Sequence, residues 1–437
     1  MNIAVIGTGY VGLVTGGTLA ELGHHVICAD TDGSKVDALK RGQLPIYEPG
    51  LDELIFKNAR ATRLKFTQSV QEAVSGARAI FLAVGTPSRD DGAADLSQVL
   101  DAAREVGDAL GQDAVVIVKS TVPPGTGDQI DNILSEVVKP GIAWNVVANP
   151  EFLSQGTAVR DSLHPSRVVI GAADEEAART VELIFQPLGA RTLLTDRRSA
   201  EMIKYAANAF LALRISFINE IANLCELAGA DVEVVAQGIG MDHRIGNQYL
   251  KAGAGFGGSC LPKDLRALIA HARSLGYEPE LFPAALRLNV GRRAALLRKL
   301  EVALGSLNGK AIAVLGLAFK PGTDDLREAP AVDLIKEMLQ RGAKVAAYDP
   351  VAVAKAMPIL PEVTFSDEIL ETFEGCDAAV ILTDWPEFKD LDFGRVKARL
   401  KRPILVDGRN LYDPVKMRDA GMIYLPTGRR GGLPYSE

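Results

Sequence analysis

Apolar and polar positions along the chain fall into two rhythms. Residues 3–7 (IAVIG) and 25–30 (HVICAD) are short and almost wholly apolar, as strands buried on both faces of a parallel sheet must be. Between them a helical stretch runs from about Val11 to Leu22 and meets a natural stop at Gly23. Further apolar runs at 79–84, 114–119, 145–148 and 167–171 alternate with helical stretches such as 95–110. This alternation predicts a doubly wound parallel sheet.

The rhythm changes near residue 199. Met202, Ile203, Ala206, Phe210, Phe217, Ile221 and Leu224 recur at three- and four-residue steps, which predicts a helix. Ser199 stands in its N-terminal cap region, Gly229 marks its stop, and Asp231 suits the cap of a further helix. A glycine-rich stretch over 238–260 interrupts the pattern, and helices resume at Pro262 and again over 283–303. The first rhythm then returns: 311–316 (AIAVLG) echoes 3–7, and 344–349 (KVAAYD) echoes 25–30. Strands also fit 378–383 and 403–407. The expected fold is α/β, with two Rossmann-like doubly wound parallel-sheet domains (1–199 and 304–437) joined by a helical middle domain (200–303). The tail 426–437 lacks apolar periodicity and reads as a mobile end.

Composition narrows the class. The chain has 437 residues, with 48 Lys and Arg against 55 Asp and Glu, for a net charge of −7. An acidic balance argues against nucleic acid as the main partner. No apolar run approaches the ~18 residues of a membrane span. The opening MNIAVIG has no basic region, so no secretory signal is expected. Cys28, Cys225, Cys260 and Cys376 are scattered without a CxxC pair, and the five histidines form no HExxH set. Neither a disulfide framework nor a metal site is expected. The expectation is a cytoplasmic α/β enzyme without metal.

The candidate chemistry begins at Gly7-Thr8-Gly9-Tyr10-Val11-Gly12. It follows a strand and opens a helix, where glycines permit a tight turn and close approach to a pyrophosphate. Asp30 ends the second strand, placed to bond a ribose 2′-hydroxyl and repel a 2′-phosphate, which favours NAD over NADP. Lys35 reads equally as an aid to the cofactor or as a solvated helix lysine. The corresponding turn of the second repeat, Gly316-Leu317-Ala318-Phe319-Lys320, lacks the later glycines. Lys320, Asp324, Asp325 and Arg327 crowd it instead, as an anion site or as a salt-bridged loop would.

Lys204 and Asn208 share a helix face. They fit either an oxyanion-holding pair or a snorkelling lysine beside a solvent-facing asparagine. In Gly255-Phe256-Gly257-Gly258-Ser259-Cys260-Leu261-Pro262-Lys263-Asp264, Pro262 suits a helix first turn. Cys260 therefore lies at a helix N-terminus, where the dipole favours a thiolate nucleophile. Asp264 would cap the same turn. The other three thiols read as buried and inert. Thr86 and Glu151 follow strand ends where α/β sites gather, and Glu151 could serve as a general base.

Several long motifs in one order carry a resemblance: GTGYVG (7–12), YEPGL (47–51), GTP (85–87), KSTVPPGT (119–126), NPEFLSQGTAVRD (149–161), EMIKYAANAF (201–210), GFGGSCLPKD (255–264) and GLAFKPGTDDLREAP (316–330). The chain resembles the nucleotide-sugar 6-dehydrogenases, the UDP-glucose/GDP-mannose dehydrogenase family, to about residue 415. The resemblance implies oxidation of a sugar C6 alcohol to a carboxylate with two NAD, and SFINEIANLCE within 201–226 looks like the UDP-glucose branch. It implies Cys260 as nucleophile through a thiohemiacetal and a thioester, Lys204 and Asn208 as oxyanion support, Asp264 in proton handling, and Glu151 and Thr121 at the hydrolytic water. It places Gly7, Gly9, Tyr10, Val11, Gly12, Asp30, Lys35, Thr86, Thr121, Lys263 and Arg327 at the cofactor. Glu151, Phe152, Leu153, Lys204, Asn208, Arg244, Tyr249, Gly257 and Lys320 fall at the sugar nucleotide. It also implies a homodimer through the middle helices. Ala254 and Leu261 depart from a frequent proline and phenylalanine. Alternatives are another nucleotide sugar (UDP-N-acetylmannosamine or GDP-mannose), a two-electron hydroxyacid dehydrogenase, or a non-catalytic NAD-binding regulatory protein.

Overall fold

The structure is a computed structural model and describes residues 1–431. The chain forms two compact units, Met1–Ala207 with Arg266–Gly276, and Asn208–Leu265 with Tyr277–Glu437. The first unit is built on eight strands: β1 (Asn2–Ile6), β2 (His25–Ala29), β3 (Leu64–Thr67), β4 (Ala79–Leu82), β5 (Ala114–Val118), β6 (Trp144–Ala148), β7 (Val168–Ala172) and β8 (Thr192–Thr195). Their order is β3-β2-β1-β4-β5-β6-β7-β8. Strand β1 pairs in parallel with β2 (Ile3 opposite Val26) and with β4 (Ile3 opposite Ala79). Every residue of β4 and β5 is buried, which is why those segments carry no polar alternation. Two apolar cores, one on each face, follow from helices packed on both sides.

One pair breaks the parallel pattern. Strands β6 and β7 run antiparallel, with Ala148 opposite Gly171. The chain returns from β6 through a loop and only a short helix, Ala158–Leu163. An antiparallel edge on an otherwise parallel sheet is a common variation.

The second unit has six strands: β9 (Ala311–Leu315), β10 (Lys344–Tyr348), β11 (Thr364–Phe365), β12 (Ala378–Ile381), β13 (Ile404–Asp407) and β14 (Ile423–Leu425). All pairings are parallel, in the order β11-β10-β9-β12-β13-β14. In both sheets the strand order reverses beside the first strand, so the turn after β1 and the turn after β9 open at switch points, where α/β folds gather ligands.

The long helix spans Arg197–Ala228, starting two residues before Ser199. Asp196 provides the capping contact, accepting the Ser199 N–H at 2.9 Å, so the cap expected at Ser199 moves upstream. In the second unit, the buried residues of this helix include Ala209, Ala212, Ile218, Ala222 and Cys225, while Phe210, Phe217 and Leu224 are exposed. Periodicity found the helix, and the small side chains define its inner face.

The mobile tail expected from residue 426 is also corrected, as far as residue 431. Gly428 N–H donates to Glu226 at 2.7 Å, Arg429 binds Asp231 at 3.0 Å and Arg430 donates to the Gly229 carbonyl at 3.0 Å. Polar contacts fix this segment, and apolar periodicity cannot register them. Residues 432–437 lie outside the described residues.

Candidate active site

The turn after β1 is shaped to receive something. Gly7 has φ +101, and a Cβ at Gly12 would meet the Gly7 carbonyl oxygen at 1.9 Å. A Cβ at Gly9 would meet nothing within 4 Å. Gly9 is the N-cap of helix Tyr10–Glu21 and supplies no capping side chain, so the first helical N–H groups remain for a ligand. Asp30 accepts from Thr8 N–H and Oγ at 2.7 Å and from Asp32 N–H at 2.9 Å. Burial raises its pKa, but those donors and Lys35 outweigh burial and hold it below the usual carboxylate value. Lys35 sits 3.9 Å from Asp30 and is partly exposed. The residues present thus fit an anionic dinucleotide.

Nothing in the YEPGL motif (47–51) assigns a role to its glutamate, Glu48. Glu48 is buried, takes the Tyr10 hydroxyl and accepts N–H bonds from Gly156 and Ala158 at 2.6 and 2.7 Å. It ties the glycine turn to the loop after Glu151. Val11 and Leu153 are half-buried and pack on the same core. Thr86 Oγ donates to the Thr121 carbonyl at 2.9 Å.

A buried ion pair lies deeper in this unit. Lys204 Nζ is 2.9 Å from Glu151, with the side chains 3% and 6% exposed. The snorkelling alternative for Lys204 is therefore set aside. Glu151 also accepts Leu153 N–H at 2.5 Å. Burial pushes the Glu151 carboxyl up, but Lys204, the Leu153 N–H and Lys119 prevail and hold it below its ordinary value. Lys119 donates to Asn149 at 2.9 Å. Burial lowers its pKa to about 8, opposed by Glu151 and reinforced by Lys204. Phe152 lies under the Arg167 guanidinium at 3.8 Å and 5.6 Å from Lys204. Val118, Thr121, Ala148, Pro150, Glu201 and Lys204 line a small pocket here. The signal for Lys119 was present in the sequence as a lysine closing an apolar strand.

The second unit holds the thiol. Cys260 is exposed, whereas Cys28, Cys225 and Cys376 are buried. Burial pushes Cys28 up to about 12 and, with Asp377 next, Cys376 to about 11. Cys260 directly precedes helix Leu261–Ser274, and its carbonyl accepts the Asp264 N–H at 2.8 Å. Asp264 is buried, accepts Asn208 Nδ2 at 2.6 Å and stands 2.7 Å from Lys263 Nζ. Asn208 therefore faces a carboxylate and not solvent.

The glycine-rich loop before Cys260 is held by side chains from several elements. Asn219 accepts Gly253 N–H and Asn289 accepts Phe256 N–H, both at 2.8 Å, and Gly258 N–H reaches the Arg327 carbonyl at 2.9 Å. A Cβ at Gly257 would meet the Glu328 carbonyl oxygen at 2.2 Å. The Arg327 guanidinium is bound by Asp325 at 2.6 and 2.9 Å, which raises its pKa. Lys320 Nζ lies 5.5 Å from the Phe319 ring centre, and Asp324 pairs with Lys355 at 2.7 Å. Arg244 is exposed and clasped by Asp242 at 2.6 Å. Tyr249 is exposed at φ +61.

Arg409 escaped the sequence reading. It donates to the carbonyls of Leu382, Phe319 and Gly255 at 2.7, 3.2 and 3.3 Å, joining the turn after β9 to the glycine-rich loop. Burial lowers its pKa. Its only sequence signal was a position two residues after Asp407, the acidic end of β13.

Comparison with known proteins adds three family matches along the chain. The NAD binding domain of the UDP-glucose/GDP-mannose dehydrogenase family matches residues 1–189, its central domain 198–290, and its UDP binding domain 313–414. Two UDP-glucose 6-dehydrogenases of Bacillus subtilis are similar over nearly the whole chain. YwqF is 47% identical over 435 residues, covering 99% of each chain. TuaD is 49% identical over 429 residues, covering 98% of this chain and 93% of its own. Among solved structures, a UDP-glucose dehydrogenase from Pyrobaculum islandicum superposes with a TM-score of 0.92 at 41% identity over 98% of both chains. A UDP-D-ManNAc dehydrogenase from Pyrococcus horikoshii gives 0.86 at 30% identity, covering 99% of this chain and 100% of its own.

Proposed function

The chain belongs to the UDP-glucose/GDP-mannose dehydrogenase family, and from that premise we propose that it is an NAD-dependent enzyme oxidising C6 of UDP-glucose to the carboxylate of UDP-glucuronate. The observation that carries this reading is the exposed Cys260 thiol, set at a helix N-terminus while the other three cysteines are buried. The open turn at Gly9 would hold NAD, with Asp30 toward its ribose, and 304–437 would hold the uridine nucleotide, with Lys320 toward its phosphates. Bound NAD supplies the hydride acceptor, once for each of two oxidations.

The chain's own residues account for the remaining steps. The helix dipole at Cys260 favours the thiolate. The thiolate adds to the C6 aldehyde and forms a thiohemiacetal. Lys204 and Asn208 hold the oxyanion. Asp264, already bonded to Asn208, keeps the amide oriented and takes part in proton handling. Loss of the second hydride leaves a thioester on Cys260, and water cleaves it to the acid and the free thiol. Glu151 stays ionised beside Lys204, so it can accept a proton from that water, with Thr121 as its neighbour. The family resemblance together with the exposed Phe210, Phe217 and Leu224 supports a homodimer. Among the described residues no helix is long and apolar enough to cross a membrane, and a cytoplasmic location is part of this proposal.

The test is NADH stoichiometry. Wild type given limiting UDP-glucose should release two NADH per sugar; one equivalent would indicate a two-electron enzyme, and none would remove the activity. UDP-N-acetylmannosamine and GDP-mannose should be poorer substrates. Glu151→Gln keeps an oxygen for Lys204 and leaves the thiol intact. Its turnover should fall by ~10²–10⁴-fold, with a burst of NADH and a uronyl adduct on Cys260 by mass spectrometry. Slow turnover without burst or adduct would remove Glu151 from hydrolysis.

A further inference from the structure

Glu201 is a buried carboxylate that the proposed reaction does not use. Its side chain is 3% exposed. One oxygen accepts Gly125 N–H at 2.6 Å and the other Gly127 N–H at 2.7 Å. Gly125 is the N-cap of helix Thr126–Val137 and offers no capping side chain. Glu201 thus caps that helix from another element, at the end where a negative charge is favoured. The loop so held carries Thr121. Its other end is fixed by Ser120, which donates to the Val84 carbonyl at 2.7 Å, and by Thr86 at the Thr121 carbonyl. Glu201 and Lys204 lie three residues apart on one helix and line the same pocket as Thr121.

We propose that Glu201 is a positioning residue: it clamps the Ser120–Gly127 loop onto the Arg197–Ala228 helix and so fixes Thr121 with respect to Lys204. The inference rests on the roles given above to Thr121 and Lys204. The clamp needs both oxygens as acceptors. A proton on either one makes that oxygen a poorer acceptor and weakens its bond to the glycine N–H.

The surrounding charges make this a pH-dependent device. Burial raises the Glu201 pKa to about 7, aided by Asp128 and opposed by the two glycine N–H groups and Arg197. Arg197 is itself tied to Asp128 and Asp131 at 2.7 and 3.0 Å, Arg198 binds Asp128 at 2.8 Å, and Lys204 is paired with Glu151. The folded pKa lies above the ordinary glutamate value of 4.5, so the folded state holds this proton more tightly. Its stabilising effect is full below that ordinary value and is lost as pH rises through about 7. Stability should therefore fall between pH 4.5 and about 7 and level off above it, while the clamp closes and turnover rises at the upper end of that interval.

The experiment measures kcat and KM of the full-length protein across pH ~6–8.5 and its unfolding midpoint across pH ~4.5–8.5. Wild type should show an acid limb in kcat centred near pH 7. Glu201→Gln should lose that limb and its matching change in unfolding midpoint, with kcat at high pH lower by ~10-fold and KM for NAD within ~2-fold. Gly127→Ala attacks the clamp from the other side, since its Cβ would stand 3.1 Å from the Glu201 oxygen. Weaker N–H bonds should move its limb to higher pH. An unchanged limb in Glu201→Gln overturns the inference, and so does an unmoved limb in Gly127→Ala, which decides the matter alone if the first variant does not fold. Wild type inactive on UDP-glucose would remove the proposed function; active wild type with unaltered variants would remove only the clamp.

Discussion

The turns after β1 and β9 start from the same plan and end in different chemistry. Each follows the first strand of its sheet, each opens on a glycine at positive φ, Gly7 at +101 and Gly316 at +88, and each faces an aspartate just past the second strand, Asp30 or Asp349. After β1 the chain enters a helix at Tyr10 at once, and the space beside Gly9 is empty. After β9 the next helix waits until Pro330, and the turn closes on itself. Asp349 accepts N–H bonds from Leu317, Ala318, Val351 and Ala352 and from the Trp385 indole, all at 2.8–3.1 Å. Thr383 Oγ donates to the Ala318 carbonyl at 2.5 Å, and Arg409 takes that of Phe319. Asp30 binds three donors and keeps acceptor capacity for a ribose; Asp349, with five, has none. Topology places both turns at a switch point, but only a turn that feeds directly into a helix presents its N–H groups to a pyrophosphate.

The largest effect that could break this contrast is one of stability. Asp349→Ala should strand buried donors at a cost of ~1–3 kcal/mol each, about 4 kcal/mol or more in all. Asp30→Ala frees fewer groups, closer to water, and should cost less. Urea unfolding followed by tryptophan emission suits the comparison, because Trp385 itself donates to Asp349. Equal losses in the two variants would mean that Asp349 is no more structural than Asp30.

The same contrast marks what was legible in the sequence. The strands IAVIG and AIAVLG and their acidic partners were readable because a strand buried on both faces leaves no room for polar residues. The edge strands β3 and β8 were not: four residues such as Leu64–Thr67 and Thr192–Thr195 carry too little pattern. The reversal at β7 depends on the path of a loop, which periodicity does not encode. At the candidate site, Pro262 located the helix beginning after Cys260, a local signal. The Lys204–Glu151 pair, the Asn208–Asp264 bond and the Arg409 contacts join distant segments, and nothing local announces such partners. Glu201 is the sharpest case, since its neighbours Gly125 and Gly127 look like ordinary turn residues in the chain.

A second, smaller effect sharpens the contrast at the ligand. Gly9 has φ −72, an ordinary value for any residue, and its missing Cβ faces open space. Gly9→Ala should therefore leave the unfolding midpoint within ~0.5 kcal/mol of wild type. A methyl group in the space meant for a pyrophosphate should still weaken NAD binding by ~10–100-fold, or about 1.4–2.8 kcal/mol. Calorimetry showing wild-type NAD affinity would mean that the cofactor does not lie against Gly9.

The smallest effect concerns Asp30 and the choice between NAD and NADP. Its carboxylate is ionised at neutral pH, held so by Thr8, Asp32 and, weakly, Lys35. A 2′-phosphate would place a second negative charge beside it and offer no proton in exchange. Asp30→Asn retains an oxygen for the Thr8 N–H and hydroxyl and gives up the bond from the Asp32 N–H, while the repulsion disappears. The lost charge also weakens the bond to a ribose hydroxyl, so NAD binding should fall slightly as NADP binding improves. The ratio of kcat/KM for NAD over NADP should narrow by ~10-fold, about 1.4 kcal/mol. Lys35→Ala serves as the control, because a partly exposed lysine 3.9 Å from the carboxylate is screened by solvent and should alter the ratio little. A ratio unchanged in Asp30→Asn would detach cofactor choice from this carboxylate and leave Asp30, like Asp349, as a brace for its own turn.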